Sequence, residues 1–284
     1  MEVGRTRRRS HGRGRDRRAR YRRTRYRRTR YRHARYSVDL VVNLVSREFR
    51  LRYRRAFIGW LWSVGQPLLR FAVFAYVFTR VIHVGNIPEY PAFLFIGIVG
   101  WTWFASGLVS AMISVIVRPD LLLRPGVPRA AAPIVSVLTD MLDFVAALPI
   151  IAVFLVFSGG IGLSALLLPV LMAIELLLIL GFGLALCSAN VYLRDVQIFT
   201  GLALLLGFYL TPVFYSRTLL PGTLKFFYDL NPVARLLGAY RDILIYHRLP
   251  ETLPLLLVAL FSTAVFAGGY AIYHRASATF VDQL

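Results

Sequence analysis

The sequence has little of what a soluble enzyme or a secreted domain needs. Cys187 is the only cysteine in 284 residues, so the chain can build neither a disulfide framework nor a thiolate metal cluster. Charged residues make up 17%, against about 25% in a soluble globular chain. No Gly-x-x-x-x-Gly-Lys-[Ser/Thr] phosphate loop occurs, so the chain does not itself bind ATP in that way. The five histidines (His11, His33, His83, His247, His274) are scattered, and no Ser-His-acid set stands out. No short apolar segment with a small-residue cleavage site follows the N-terminus, so a secretory signal is not expected.

What is there is hydrophobic. Hydrophobic residues reach 57% and mean hydropathy is +0.59, the balance of a membrane protein. The net charge of +20 is unevenly placed. Residues 1–35 hold 17 Arg against Glu2 and Asp16, whereas the remaining 249 carry 16 Arg and Lys225 against 12 acids. The unit Tyr-Arg-Arg-Thr-Arg starts at Tyr21 and Tyr26 and recurs in degraded form at Tyr31. A five-residue period fits neither helix nor strand, and so many like charges without apolar partners predict a disordered tail over 1–36. The tail attracts anionic lipid headgroups on one reading. Nucleic-acid binding is a second reading. The third is a dispensable extension, with the true start downstream of Met1.

Residues 37–284 are expected to form one all-α integral membrane domain. A bilayer core about 30 Å thick needs roughly 20 apolar helical residues. Six stretches qualify: about Gly65–Val84, Pro91–Val117, Ala131–Phe157, Leu163–Ala189, Gln197–Tyr215 and Leu253–Tyr273. A glycine-rich turn, Ser158–Gly162, separates the third from the fourth. Arginine-bearing loops alternate with neutral ones, which predicts both termini in the cytoplasm; Arg80 and the basic segment 216–250 run against the pattern. Ahead of the first span, Val38, Val41, Val42, Val45, Phe49, Tyr53 and Ala56 share one helical face, with Arg52 intruding on it. This predicts an amphipathic helix in the membrane interface, ending near Gly59, with Trp60 and Trp62 in the aromatic belt. The alternative is a helix packed on another protein. Between spans five and six, Thr223–Leu230 and Val233–Tyr246 read as two short helices, the second capped by Asn231 with Pro232 at its first position. They form a re-entrant or interfacial hairpin, or else an ordinary external cap.

Ionisable residues inside spans cost about 2.5–3.5 kcal/mol each at the centre, so they carry meaning. Glu175 is the deepest; Asp140 and Asp143 share a face, and Arg70 lies near the start of span one. They form a polar lumen or a proton relay on one reading, and bundle-holding ion pairs on the other, for instance Arg70 with an aspartate. Gly181-Phe182-Gly183 lies mid-span and predicts close helix packing.

Several motifs then resemble one family in its own order. Arg47-Glu48-Phe49-Arg50-Leu51-Arg52-Tyr53-Arg54-Arg55, followed by Gly59-Trp60-Leu61-Trp62 and Pro67, is similar to the opening of the membrane subunit of ABC exporters for polysaccharides, with Ile58 in place of the usual Leu. Leu122-Leu123-Arg124 and Val127-Pro128-Arg129 resemble the family's cytoplasmic loop between spans two and three. Tyr192-Leu193-Arg194-Asp195, Thr211-Pro212-Val213-Phe214-Tyr215, and Leu230-Asn231-Pro232 through Tyr240-Arg241 match its later elements. Residues 1–36 lie outside the resemblance.

The resemblance implies a permease in the bacterial plasma membrane: a homodimer powered by two copies of a separate ATPase, which would hold ATP and Mg, with no cofactor on this chain. Members export lipid-linked glycans such as O-antigen, teichoic acid, capsule or cell-wall galactan. By the same implication the interface helix, with Arg47 and Arg50, and the loop carrying Leu122, Leu123, Arg124, Pro128 and Arg129 contact the ATPase. Phe214–Tyr246, including Asn231, forms the exit gate. A sugar polymer slides well over aromatic rings, so Trp101, Trp103, Phe104, Tyr209, Phe214 and Tyr215 are candidate channel residues; the alternative for each is a lipid-facing ring. Arg52, Arg54 and Arg55 suit a carrier's pyrophosphate, or snorkel to headgroups. Other functions kept open are efflux of a drug or small lipid, a membrane enzyme needing Glu175, and membrane-anchored nucleic-acid binding.

Overall fold

The computed structural model describes residues 39–50, 61–81, 87–123, 127–157, 159–217 and 221–280. These residues are helical or loop, with no strand among them. The chain divides into two units, Met1–Leu44 and Val45–Leu284. Of the first unit, residues 39–44 are described and are helical; they begin helix α1, which runs over residues 39–50. In the second unit, α1 ends with Val45, Glu48 and Phe49 half-buried and Ser46, Arg47 and Arg50 exposed.

The remaining helices are α2 (Leu61–Tyr76), α3 (Tyr90–Val117), α4 (Pro119–Leu123), α5 (Ala131–Phe157), α6 (Leu168–Tyr192), α7 (Val196–Leu210), α8 (Gly222–Leu230), α9 (Pro232–Leu244) and α10 (Thr252–Ala276). Two tighter or looser turns adjoin them: α2 continues as a π-turn over Val77–Val81, and a 3₁₀ turn, Leu163–Leu167, leads into α6. Four helical stretches are long and apolar enough to cross a membrane: Tyr90–Val117, Ala131–Phe157, Leu163–Tyr192 and Thr252–Ala276. They coincide with the second, third, fourth and sixth expected spans.

The other two spans need correction. The first begins earlier than expected and changes to π geometry after Tyr76, ahead of Thr79 and Arg80. Thr79 Oγ1 donates back to the Ala75 carbonyl at 2.6 Å, a bond that competes with the regular helical ladder. The fifth stops at Leu210, five residues short of Tyr215, because Pro212 has no N–H to continue the ladder. The helix expected up to Gly59 is described as far as Arg50. Residues 51–60, with Arg52, Arg54, Arg55 and Trp60, lie outside the described residues, as do residues 1–38 and the side chain of Trp62.

Helix α3 is the centre. Its apolar stretch is 78% buried, against 17% for α10, so α3 is enclosed by protein while α10 turns most of its surface outward. It packs on α2, α5, α6, α7 and α9. Residue numbers on α3 and α6 rise together along their contact: Gly107 lies against Ile179, Ala111 against Gly183, and Asn190 Nδ2 donates to the Met112 carbonyl at 3.2 Å. The two helices are therefore parallel. Helix α6 also meets α10, where Gly181 lies so close to Val265, Phe266 and Gly269 that a Cβ would strike backbone. This is the close packing that Gly-Phe-Gly predicts. The turn before α6 holds Gly159 (φ 110°) and Gly160 (φ 96°), conformations that glycine adopts without steric cost.

Candidate functional site

The α8–α9 hairpin is built around the break in α7. Where α7 ends, the carbonyls of Pro212, Val213 and Phe214 have left the helical ladder. Buried peptide oxygens must find donors elsewhere. Arg241 of α9 supplies two, with one Nη atom donating to Pro212 O at 2.8 Å and the other to Val213 O at 2.7 Å. Tyr90 Oη donates to Phe214 O at 3.1 Å. Arg241 Nε reaches Phe93 O at 3.3 Å, and the guanidinium lies 3.5 Å from the centre of the Phe93 ring. Arg241 is 4% exposed, and burial pushes its pKa down to about 10. Gly97 makes the space: a Cβ there would stand 2.5 Å from an Arg241 nitrogen and 2.6 Å from Val213 O.

Two neighbours complete the attachment. Asn231 caps α9 by accepting from Val233 N at 3.0 Å and Ala234 N at 3.3 Å, with Pro232 at the first helical position. Its Nδ2 donates to Thr211 Oγ1 at 3.0 Å, in the same turn after α7. Tyr240 Oη donates to Glu175 Oε2 at 2.7 Å, joining α9 to the single acid of α6. Both residues are 1% exposed. Glu175 Oε1 and Trp103 Nε1 have no hydrogen-bond partner among the described residues.

The candidate channel rings fall into two groups. Trp101, Trp103 and Phe104 lie in the core of the single chain. Trp101 packs over Gly207 and Phe208, and Trp103 tilts against Phe144 at 4.8 Å. Tyr209, Phe214 and Tyr215 lie nearer the surface, in a cluster that also holds Phe74, Phe78 and Phe208. Phe214 stacks on Phe78 at 4.7 Å and on Phe74 at 6.2 Å, and Phe208 adjoins Phe74 and Phe214. Phe71, Phe74 and Phe78 recur at helical spacing in the first span, a signal that was available in the sequence.

The opposite end of α3 carries the residues expected at the ATPase. Arg118, at the C-cap of α3, forms an ion pair with Glu48 of α1, and burial lowers the Arg118 pKa. Arg118 and Phe93 are 25 residues apart on or beside one helix, which at 1.5 Å per residue is about 37 Å. Arg47, Arg50, Pro128 and Arg129 are exposed, and the Arg129 carbonyl accepts from Tyr273 of α10 at 2.8 Å. Leu122 and Leu123 fall within α4, but their side chains and all of Arg124 lie outside the described residues. Of the remaining charges, Arg70 donates to Thr102 Oγ1 at 3.4 Å, and Asp140 accepts from Ser110. Asp143 is half-buried. Among the described residues no cluster of His, Cys, Asp or Glu could hold a metal ion.

Comparison with known proteins gives one consistent result. Residues 39–245 match a family described as ABC-2 type transporter. An O-antigen export system permease protein RfbA of Myxococcus xanthus is 31% identical over 248 residues, covering 86% of this chain and 95% of the relative. An RfbA of Klebsiella pneumoniae is 30% identical over 207 residues, covering 72% of this chain and 80% of the relative.

Proposed function

The chain belongs to the ABC-2 type transporter family, and from that premise we propose that it is the permease subunit of an ATP-driven polysaccharide exporter. The observation that carries this reading is the 31% identity to an O-antigen export permease across 95% of that relative's length. The cargo would be a glycan on a lipid carrier, moved across the plasma membrane.

Within this reading α2 with its π-turn and α7 act as the first and fifth of six membrane crossings, and both termini are cytoplasmic. Two copies form the pore, meeting across the apolar faces of α2 and α7, where Leu69, Val73, Ile198, Phe199, Leu202 and Leu206 are exposed on the single chain. Two copies of a separate ATPase, holding ATP and Mg, dock at the α1 end, on the surface that includes Arg47, Arg50, Pro128 and Arg129. Arg52, Arg54 and Arg55, which lie outside the described residues, meet the carrier's pyrophosphate.

The α8–α9 hairpin is the exit gate, re-entrant from the outer surface. Asn231 serves it as a cap and tie. Rings contact the polymer where they are half-exposed, at Phe74, Phe78, Phe214, Tyr209 and Tyr215, since a flat ring holds a sugar face while letting it slide. Trp101, Trp103 and Phe104 shape the wall from behind.

The test is depletion of the protein followed by extraction and sizing of lipid-linked glycans. Accumulation inside the cell with loss of surface polymer is the expected result. Unchanged glycan pools would refute the export role and move attention to efflux of a drug or small lipid.

A further inference from the structure

A second polar feature lies at the hairpin end of the fold, on the α10 side. A cleft of about 390 Å³ opens between α8, α9 and the first turns of α10. Four arginines line it, Arg217, Arg235, Arg241 and Arg248, against two wall carboxylates, Asp242 and Glu251. Asp229 stands behind, paired with Arg217 at 2.7 Å and Arg235 at 2.8 Å. Arg248 is paired with Asp242 at 2.7 Å. Positive charge is therefore in excess in the cleft. Arg217 and Arg248 are also its most exposed pair members, with side chains 43% and 67% accessible. Each guanidinium carries five N–H donors and these pairs use only part of them.

Beside Ser216, Tyr228 and Tyr246, the remaining wall is apolar. Pro254, Leu255 and Val258 bring one face of α10 into the cleft. Helix α10 is long and apolar enough to cross a membrane, so its first turn, at Thr252, marks a membrane–water boundary. Lipid phosphates lie at that depth. Exposed Leu253, Leu256, Leu257 and Leu260 continue outward along the same helix, where acyl chains pack.

We propose that this cleft binds the headgroup of an anionic phospholipid, with its phosphate on Arg217 and Arg248 and its glycerol and upper acyl chain against Pro254, Leu255 and Val258. The site is separate from the aromatic cluster of α2 and α7, and the proposal does not depend on which cargo is exported. Attraction of an anionic surface amounts to roughly five-fold in affinity per arginine.

The full-length protein is reconstituted in discs of dioleoyl-phosphatidylcholine, with or without dioleoyl-phosphatidylglycerol, and hydrogen exchange is followed in the peptide covering 245–254. Backbone outside helices exchanges readily unless covered, and most of this peptide is such backbone. Phosphatidylglycerol should slow that exchange by about five-fold or more, while the double variant R217Q/R248Q should abolish the slowing. The basic N-terminal segment is common to both proteins, so their difference belongs to the cleft. A second variant, Asp242→Asn, releases Arg248 from its carboxylate and should deepen the protection. Equal protection in wild type and the double variant would overturn the proposal. So would inorganic phosphate alone giving the same protection in phosphatidylcholine discs, or loss of protection in Asp242→Asn.

Discussion

The bond between Tyr240 and Glu175 allows a quantitative test of how the hairpin is held. Removing the hydroxyl with Tyr240→Phe leaves the carboxyl without its one resolved partner, since Oε1 already has none among the described residues. A buried polar group that loses its partner costs about 1–3 kcal/mol, more when charged. Glu175→Met keeps a similar volume and removes the carboxyl, so its cost is that of an unpaired tyrosine hydroxyl, offset by the carboxyl no longer buried. The double variant has neither polar group. Replacing both members of a buried pair by apolar groups is often neutral. The double variant is therefore expected to be more stable than Tyr240→Phe alone by about 1–3 kcal/mol, with a coupling energy of about 1.5–2 kcal/mol between the two sites. Reversible unfolding of the purified protein in mixed micelles measures all four corners of the cycle. Additivity within about 0.5 kcal/mol would show that the two side chains do not depend on each other, and the reasoning would fail.

Three further outcomes are expected. Gly97→Ala should cost about 1–3 kcal/mol by displacing Arg241 or the Val213 carbonyl, whereas Gly201→Ala, which meets nothing within 4 Å, should be neutral or slightly stabilising; paired melting curves decide. Asn231→Ala should cost about 1 kcal/mol for the lost cap and a little more for the Thr211 contact, and Asn231→Asp should restore the cap share alone. Glu48→Gln should lower stability by about 1 kcal/mol through its half-buried pair with Arg118, while Glu251→Gln, at an exposed position, should change it by less than about 0.5 kcal/mol; equal effects would argue against the Glu48 contact.

Much of the fold was legible because local chemistry marks it. Long apolar runs, two of them uncharged and two carrying Asp140, Asp143 or Glu175, bounded the four strong spans to within about three residues at each end. Asn231-Pro232 announced α9, since that pair supplies both an acceptor and a preset φ at a helix start. Gly159 and Gly160 fell in the turn where glycine was expected. Hydropathy continues through Thr211–Tyr215 and points to a longer span, while Pro212 ends the ladder and α7 stops at Leu210. The binding partners of the charges were harder still. Arg241 donates to carbonyls 28, 29 and 148 residues away, and main-chain oxygens have no signature in a sequence. Opposite charges suggest pairing Arg70 with an aspartate, yet Arg70 donates to Thr102. Which ring meets which, as in the Phe74–Phe78–Phe214 stack, depends on helix rotation and register, which composition does not specify.

The adjacency of Tyr240 and Arg241 has a mechanical consequence. Consecutive residues on a helix point about 100° apart. One α9 turn is thereby bolted to two different bodies, α6 on one side and α3 with the turn after α7 on the other. A flap that swung open at its base would have to break both bolts at once. Taken as a rigid rod, helix α3 has Arg241 near one end and the Glu48–Arg118 contact at the other. A tilt of about 5° over a rod of about 37 Å displaces its far tip by about 3 Å. A push on α1 would therefore arrive at the hairpin as a stroke of that size, carried by rigid rotation and needing no melted segment along the way.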